Sequence, residues 1–265
     1  MSDPRCAQIA ARYSAAAAAY DRLWSPVIRP MSAPLFDSLR PMHPHVVLDV
    51  GCGTGALAAD VRAVTPGAFI AGMDVAQGMV VAAAREGREH GVVAEANAIP
   101  FASGSVDIAF SVFVLQHVPD PLAAIGEMAR AVRPGGAGAT VTWGEGKDSR
   151  AEDVLEEMLD AAGAEKPEVA LDTSELLNST ARATTAWEST GLHVDRAWEH
   201  RGEHRWTVDS LMAIATGYGR SKRRYDSLAP EAQASFEAAT RARLAGMDGE
   251  ELTWRPVVVF AIARR

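Results

Sequence analysis

The residues whose types and spacing most strongly suggest chemistry are three glycines in the segment VLDVGCGTG at 47–55. Because glycine has no Cβ, Gly51, Gly53 and Gly55 let the backbone take positive φ angles and approach a ligand closely. The preceding run, 46–50, is rich in β-branched residues and is typical of a buried parallel strand. Open α/β sheets bind ligands where such a loop leaves a strand and enters a helix. We therefore expect a nucleoside-containing ligand at this loop.

Two acidic residues follow the next two strand-like runs. Asp74 comes directly after 68–73, and Glu95 comes directly after 92–94. An acid about 20 residues beyond a glycine loop commonly accepts hydrogen bonds from ribose hydroxyls, so Asp74 is predicted to bind a ribose with a free 2′-OH. Glu95 and the segment that follows it offer an acceptor, a backbone donor and an apolar turn, which together suit an adenine ring.

The glycine loop by itself fits two kinds of cofactor. Residues 51–56 also satisfy the dinucleotide pattern G-x-G-x-x-G/A, which would indicate a nicotinamide-dependent oxidoreductase. The chain shows no second mononucleotide unit, which argues against that class.

Five segments in a fixed order distinguish between these two kinds of cofactor. They are VLDVGCGTG at 47–55, MDVAQGM at 73–79, EANAIPF at 95–101, SVDIAFSVFVLQHVPDP at 105–121 and VRPGG at 132–136. With these segments the chain resembles the class I S-adenosylmethionine-dependent methyltransferases, and within them the small-molecule group that includes quinone-biosynthesis and natural-product enzymes. The resemblance implies an α/β fold with a seven-stranded Rossmann-like methyltransferase sheet, mostly parallel with the last strand antiparallel, and with helical cap insertions.

The resemblance also implies S-adenosylmethionine as cofactor and a set of residues around it. The methionyl part would lie along the glycine loop, with Asp49 as the usual acid before it and the backbone carbonyl of Ser111 facing the ammonium group. Asp74 would hold the ribose, and Glu95 would receive the adenine amino group. The full implied set is Tyr20, Asp49, Gly51, Cys52, Gly53, Asp74, Val75, Met79, Glu95, Ala96, Asn97 and Ser111.

His117 is the candidate general base, because it follows the fourth predicted strand at the edge where the methyl group would point. The alternative is a structural or cofactor-facing role, since L-x-H-V occurs widely in the resembled family whatever the chemistry. The chain departs from the family's commoner residues at Glu95, Asn97 and Gln116. These departures keep the proposed hydrogen bonds feasible.

The elements that would position these residues form one methyltransferase domain over 1–265. We expect a helical lid at 1–40, the cofactor-binding core at 45–143, helices in 144–190, and the last two strands within 191–265, interrupted by a helical cap insertion at about 207–250. Predicted elements beyond the core are a strand at 137–143, helices near 150–162, 174–190, 207–218 and 230–245, and strands at 192–198 and 254–262.

The lid carries aromatic residues at helical spacing. Family members place a Tyr-Asp pair like Tyr20 and Asp21 near the inner face of such a helix, so contact with the cofactor and ordinary packing are equal alternatives for Tyr20. For Tyr13 and Trp24 we expect packing.

The cap should enclose a largely apolar pocket for a small organic acceptor. Residues near the sixth strand are candidates for its lining, one or two at most, with packing or surface roles as the general expectation: His193, Trp198, His200, His204 and Trp206.

The composition of the chain argues against some classes of binding partner. A net charge of -8 and a pI near 5.4 argue against a nucleic-acid binder, and the basic cluster at 220–224 is interpreted as a solvated loop. Only Cys6 and Cys52 occur, so we expect no disulfide and no metal site. No apolar run reaches the roughly 18 residues needed to span a membrane and the N-terminus does not read as a signal peptide, which favours a cytoplasmic protein.

Other functions stay open at this stage. A protein with this fold could bind the cofactor and catalyse a cyclisation, or only sense it. A tRNA-modifying methyltransferase is a further alternative, although the strand-four segment 111–114 lacks the Asn-Pro-Pro-aromatic motif and the Pro-Cys pair of macromolecule-modifying groups. The sequence leaves open the acceptor, the O, N or C atom that is methylated, and the oligomeric state, a homodimer included.

Overall fold

A computed structural model of the protein describes residues 4–85, 90–146, 149–167 and 171–265. Its centre is a seven-stranded sheet with strand order β3-β2-β1-β4-β5-β9-β6. The strands are β1 Val46–Val50, β2 Phe69–Asp74, β3 His90–Val93, β4 Val106–Val112, β5 Val132–Trp143, β6 His193–Arg201 and β9 Val257–Arg264, with β7 His204–Arg205 and β8 Thr253–Trp254 forming a separate short pair.

The sheet has the predicted mixed topology. Strand β9 runs antiparallel to both β5 and β6, whereas β1 to β5 pair in parallel. Because parallel strands share one carboxyl edge, the loops that follow β1, β2 and β4 meet at the point where the strand order reverses. The expected seven-stranded methyltransferase sheet is confirmed.

Helices cover both faces of the sheet and extend beyond its carboxyl edge. They are α1 Pro4–Ala19, α2 Ser25–Leu39, α3 Ala58–Val64, α4 Gln77–Arg85, α5 Pro121–Ala131, α6 Arg150–Ala161, α7 Thr180–Glu188, α8 Val208–Gly217, α9 Gly219–Asp226 and α10 Pro230–Ala245, and a π-helical turn at Tyr20–Trp24 joins α1 to α2. Within the described ranges, no helix has the length and apolar character required to cross a bilayer.

Some predicted boundaries were wrong for identifiable reasons. The helix expected at 174–190 begins only at Thr180, because the Ser179 side chain caps it by accepting a hydrogen bond from the Arg182 amide at 3.3 Å. The strand expected at 254–262 is split between β8 and β9, and Pro256, which has no N–H to donate to a ladder, lies between them.

The basic cluster at 220–224 is a helix, so its interpretation as a solvated loop was wrong. Arg224 on α9 is only 1% exposed. Its guanidinium donates to Glu156 on α6 at 2.7 Å and to Asp160 on the same helix. A buried charge held by two carboxylates fixes α9 against α6, a pairing that a local sequence pattern does not reveal.

A tight contact fixes α7 against the sheet. The Trp187 side chain is fully buried and its Nε1 donates to Thr140 Oγ1 at 3.1 Å. A Cβ built on Gly138 of β5 would lie 2.2 Å from Cη2 of Trp187. The indole therefore occupies the space that any other residue at 138 would need.

Substitution Gly138→Ala should lower the free energy of unfolding by about 1–3 kcal/mol, because the indole must move out of a well-packed site. Urea denaturation measures this. Gly126→Ala is the matched control, since no atom lies within 4 Å of its Cβ position in the interior of α5. That control should be neutral or stabilising by up to about 1 kcal/mol. Equal stability of Gly138→Ala and the unaltered protein would contradict the expectation.

Candidate functional site

The glycine loop after β1 has the conformation that its sequence predicts. Gly51, Gly53 and Gly55 all have positive φ angles, of 82°, 54° and 70°. The Gly51 and Cys52 amides both donate to the Met73 carbonyl of β2, at 2.7 and 2.9 Å. This pairing holds the loop against the end of the neighbouring strand.

Asp74 ends β2 directly beside this loop. Its Oδ2 accepts a hydrogen bond from the Gly53 amide at 3.0 Å and its Oδ1 accepts one from the Ala76 amide at 2.8 Å. Burial raises the pKa of Asp74, and the backbone donors oppose this rise only in part. The two backbone amides therefore fix the position of the carboxylate, but they do not fully compensate the effect of burial on its charge.

A cavity of about 630 Å³ opens above the loop and continues beneath the lid and the cap. Ten of the residues singled out from the sequence line it, namely Tyr20, Gly51, Gly53, Asp74, Val75, Met79, Glu95, Ala96, Asn97 and His117. Three others do not line it: Asp49, Cys52 and Ser111 are buried, and Ser111 Oγ donates to the Val50 carbonyl at 2.9 Å. The roles implied for all of these residues remain predictions.

The N-terminal helices close one side of the cavity. Tyr20 lies against the glycine loop, its Cε1 being 3.7 Å from a Cβ built on Gly53. The adjacent Asp21 accepts a hydrogen bond from the Thr54 hydroxyl at 2.6 Å and so joins the lid to the loop. Tyr13 and Trp24 pack against the core as expected, and both also line the cavity. The helical spacing indicates that these aromatic residues share one face of the lid, but it does not indicate what that face contacts.

Further tyrosines surround Tyr20. Its ring centroid is 6.4 Å from that of Tyr13 and 5.7 Å from that of Tyr218 at the end of α8. Burial raises the pKa of Tyr20 above its usual range, and nearby Asp74 and Asp49 contribute to the rise. Burial likewise raises the pKa of Tyr13 and of Tyr218, so the three hydroxyls stay protonated, and Tyr13 and Tyr20 line the cavity.

The far end of the cavity is aromatic. Phe113 follows β4, Trp143 ends β5, and their ring centroids are 4.0 Å apart in a stacked arrangement. Trp254 lies 5.3 Å from Trp143 and 6.2 Å from Trp24. Phe113 has a φ angle of 55°, uncommon for a bulky residue, which directs its ring into this group.

Sequence reasoning missed Phe113, Trp143 and Trp254, although their positions carried a signal. The first two come at the carboxyl ends of parallel strands, where open sheets bind ligands. Trp254 comes just before an antiparallel strand, so it lies at the same edge.

The aromatic and histidine residues proposed near β6 do not line the cavity. Trp198 stacks on Phe260 at 4.9 Å, and Trp206 is buried against His204 at 4.3 Å. His193 and His200 are likewise absent from the lining. Because β6 is the edge strand farthest from β1 in its half of the sheet, its residues end away from the strand-order reversal. None of the five candidates lines this cavity, and the contacts of Trp198 and Trp206 agree with the packing roles that were the general expectation.

Helices α6 and α9 complete the wall with polar side chains. Ser149, Glu152, Asp153 and Glu156 line the cavity from α6 and its N-terminal cap, and Arg220 lines it from α9. The arrangement thus joins a nucleoside-binding type of loop, an aromatic chamber and an acidic wall in one space.

Comparison with known proteins agrees with this geometry. A family model described as a methyltransferase domain matches residues 48–140. The chain is 34% identical over 132 residues to malonyl-[acyl-carrier protein] O-methyltransferase of Hahella chejuensis, covering 49% of this chain and 47% of that protein. It is 38% identical over 96 residues to ubiquinone biosynthesis O-methyltransferase of Bordetella avium, covering 34% and 39%. The chain therefore spans less than half the length of these relatives.

Solved structures show the same fold. The YcgJ protein of Bacillus subtilis matches with a TM-score of 0.56 at 18% identity, over 89% of this chain and 99% of that one. The [4+2]-cyclase SpnF matches with a TM-score of 0.57 at 17% identity, over 96% of both chains. Residues 48–140 therefore match a methyltransferase domain, and the solved structures share the fold of the chain.

The lid depends on a close backbone approach at Gly78 of α4. The Gly78 amide donates to Ser14 Oγ at 3.1 Å, and a Cβ built on Gly78 would lie 2.4 Å from the Ser14 carbonyl oxygen of α1. Gly78→Ala should therefore displace α1 and speed amide hydrogen exchange in 4–19, while the strands keep their protection. Ser14→Ala is the control, because it removes only the hydrogen bond. Unchanged exchange in Gly78→Ala would show that α1 does not depend on this contact.

Proposed function

We propose that the protein transfers the methyl group of S-adenosylmethionine to a small organic acceptor. The observation that carries the proposal is the continuity of one cavity, which runs from the glycine loop and Asp74 to the aromatic residues around Trp143. Its volume of about 630 Å³ lies in the ordinary range for small-molecule sites. A donor held at one end and an acceptor at the other would share an interior from which the lid and cap exclude water.

The cofactor end fits adenosine in its chemistry. Asp74 is half-buried, and both of its oxygens accept from backbone amides, so two ribose hydroxyls would supply further donors. Val75 and Met79 offer apolar contact to a flat ring, and Glu95 offers an acceptor to an exocyclic amino group. The glycine loop leaves room along its backbone for a methionyl chain.

The bound cofactor would supply an electrophilic methyl carbon for in-line displacement. What the protein contributes is position, because aligned reactants held in near-attack geometry can supply much of the acceleration. The aromatic walls would hold the acceptor, and the lid tyrosines with Phe113 would keep water from the reacting atoms.

The function is tested with S-adenosylmethionine labelled on its methyl group. Incubation with panels of small phenols, enols, alcohols and amines should give labelled acceptor and S-adenosylhomocysteine. Calorimetry on the same preparation measures cofactor affinity separately. Tight cofactor binding without transfer to any acceptor would instead favour a cyclase or a sensor. A tRNA acceptor would appear as a salt-dependent shift in gel mobility.

Asp74→Ala should weaken binding of S-adenosylhomocysteine by about 1–3 kcal/mol, because charge-assisted hydrogen bonds to the ribose are lost. Isothermal titration calorimetry measures the change. Asp37→Asn is the control, since Asp37 is exposed on α2 and lines no part of this cavity. Unaltered affinity in Asp74→Ala would overturn the ribose assignment.

His117 stays the candidate general base. It lies on the turn after β4, lines the cavity and has its ring 5.9 Å from that of Tyr13. If it accepts the acceptor's proton, His117→Gln should reduce turnover by about 10²-fold or more and leave cofactor affinity unchanged. Retained turnover would assign His117 to the structural or cofactor-facing role instead.

A further inference from the structure

The wall of the cavity opposite the glycine loop carries an excess of negative charge. Glu152, Asp153 and Glu156 of α6 all line it. Arg220 is the sole lysine or arginine among the described residues of the lining, and its Nη2 lies 3.9 Å from Glu156 Oε2. Arg224 also donates to Glu156, at 2.7 Å. The positive charge of α9 is therefore directed to Glu156 and not to Glu152.

Glu152 stands where a glutamate usually has a structural role. Ser149 and Glu152 have the spacing of a capping box, in which each side chain binds the other residue's backbone amide. Ser149 Oγ does accept from the Glu152 amide, at 3.4 Å, but the reciprocal bond from the Ser149 amide to Glu152 is absent. Glu152 Oε1 is fully buried and has no hydrogen-bond partner in the described part of the chain. The carboxyl group faces the cavity instead.

The electrostatic surroundings of this carboxyl group lack a counter-charge. Burial raises the pKa of Glu152 to about 7, and neighbouring Asp153 and Glu156 add to the rise. The N-terminal end of α6, which favours a carboxylate, does not offset these effects. A cation beside Glu152 would restore its ionised form, whereas an anion would raise its protonation further.

The aromatic residues face the same space. Trp24, Trp143 and Trp254 form one group with centroid separations of 5.3 and 6.2 Å, and all three line the cavity with Glu152. Aromatic faces attract cations through their quadrupole and also bury apolar carbon. A carboxylate and indoles that line one cavity can together hold a cation with an apolar body.

We propose that the acceptor is a small organic amine bound as its cation, with its ammonium group on Glu152 and its apolar body against these tryptophans. The proposal rests on the proposed function, because it takes this end of the cavity as the acceptor site. An amine acceptor would also differ in charge from the substrate in the name of one relative, malonyl-[acyl-carrier protein] O-methyltransferase. A malonyl carboxylate would meet the acidic wall with Arg220 alone, among the described lining residues, to balance it.

Three probes of similar shape test the charge preference. They are 2-phenylethylamine, 2-phenylethanol and 3-phenylpropanoate, titrated at about pH 8 into protein saturated with S-adenosylhomocysteine and followed by tryptophan fluorescence. The amine should bind about 10-fold or more tightly than the alcohol, and the carboxylate should bind most weakly.

Two variants test whether Glu152 is responsible for the preference for the amine. Glu152→Gln should weaken the amine about 10-fold and leave the alcohol within about twofold, because only the charged contact is lost. Asp153→Asn is the matched control: it removes one charge from the same turn of α6 at an exposed position, so it should weaken the amine by less than about threefold. The melting temperature of Glu152→Gln should equal or exceed that of the unaltered protein, since a buried uncompensated carboxyl becomes neutral.

The outcomes distinguish the two proposals. Absence of S-adenosylhomocysteine binding contradicts the proposed function. Binding of S-adenosylhomocysteine with no preference for the amine over the alcohol overturns the amine proposal alone. Equal losses in Glu152→Gln and Asp153→Asn would also overturn it, because they would reflect general charge and not a specific contact.

Discussion

The packing of the backbone at the carboxyl end of β1 is the constraint on which the rest of the site depends. The Gly51 and Cys52 amides share the Met73 carbonyl, and a Cβ at Gly51 would lie 2.4 Å from a methyl group of Val114. The ends of β1, β2 and β4 therefore meet with no space for a side chain at Gly51. This contact brings Asp74 within reach of the Gly53 amide and places the turn carrying His117 at the same edge. A looser loop would separate Asp74 from the Gly53 amide and from the turn that carries His117.

The lid is attached to this packed edge by polar contacts. Asp21 binds Thr54 in the glycine loop, and Ser14 binds the Gly78 amide beyond β2. Asp21 lies in the π-helical turn Tyr20–Trp24, a form that is rare and often found at functional sites. Tyr20 of the same turn contacts the ring of Tyr218 at the end of α8. The lid is therefore attached to the glycine loop, to α4 and to the end of α8.

The sequence predicted the seven-stranded sheet through its resemblance to a family, and local patterns predicted the glycine loop and an acid, Asp74, at the end of the second strand. The structure brings that loop and Asp74 to one cavity. The acceptor end depends instead on contacts between distant segments. Arg224 is paired with Glu156 across 68 residues, and Trp24 meets Trp254 across most of the chain. Residues near β6 looked suitable by type, yet the strand order places them at the far edge.

Glu152 shows how tertiary structure changes the meaning of a local motif. By sequence, Ser149 and Glu152 would form a capping box, which stabilises a helix start by satisfying two backbone donors. The structure keeps only half of that motif and leaves a buried carboxyl oxygen without a partner. Such a group is destabilising, and a buried polar group without a partner in a native structure calls for an explanation such as a functional role or a bound water or ion. Three indoles line the same cavity as Glu152 and supply the other feature of the proposed cation site. The same residue that weakens the helix cap would therefore select the molecule that accepts the methyl group.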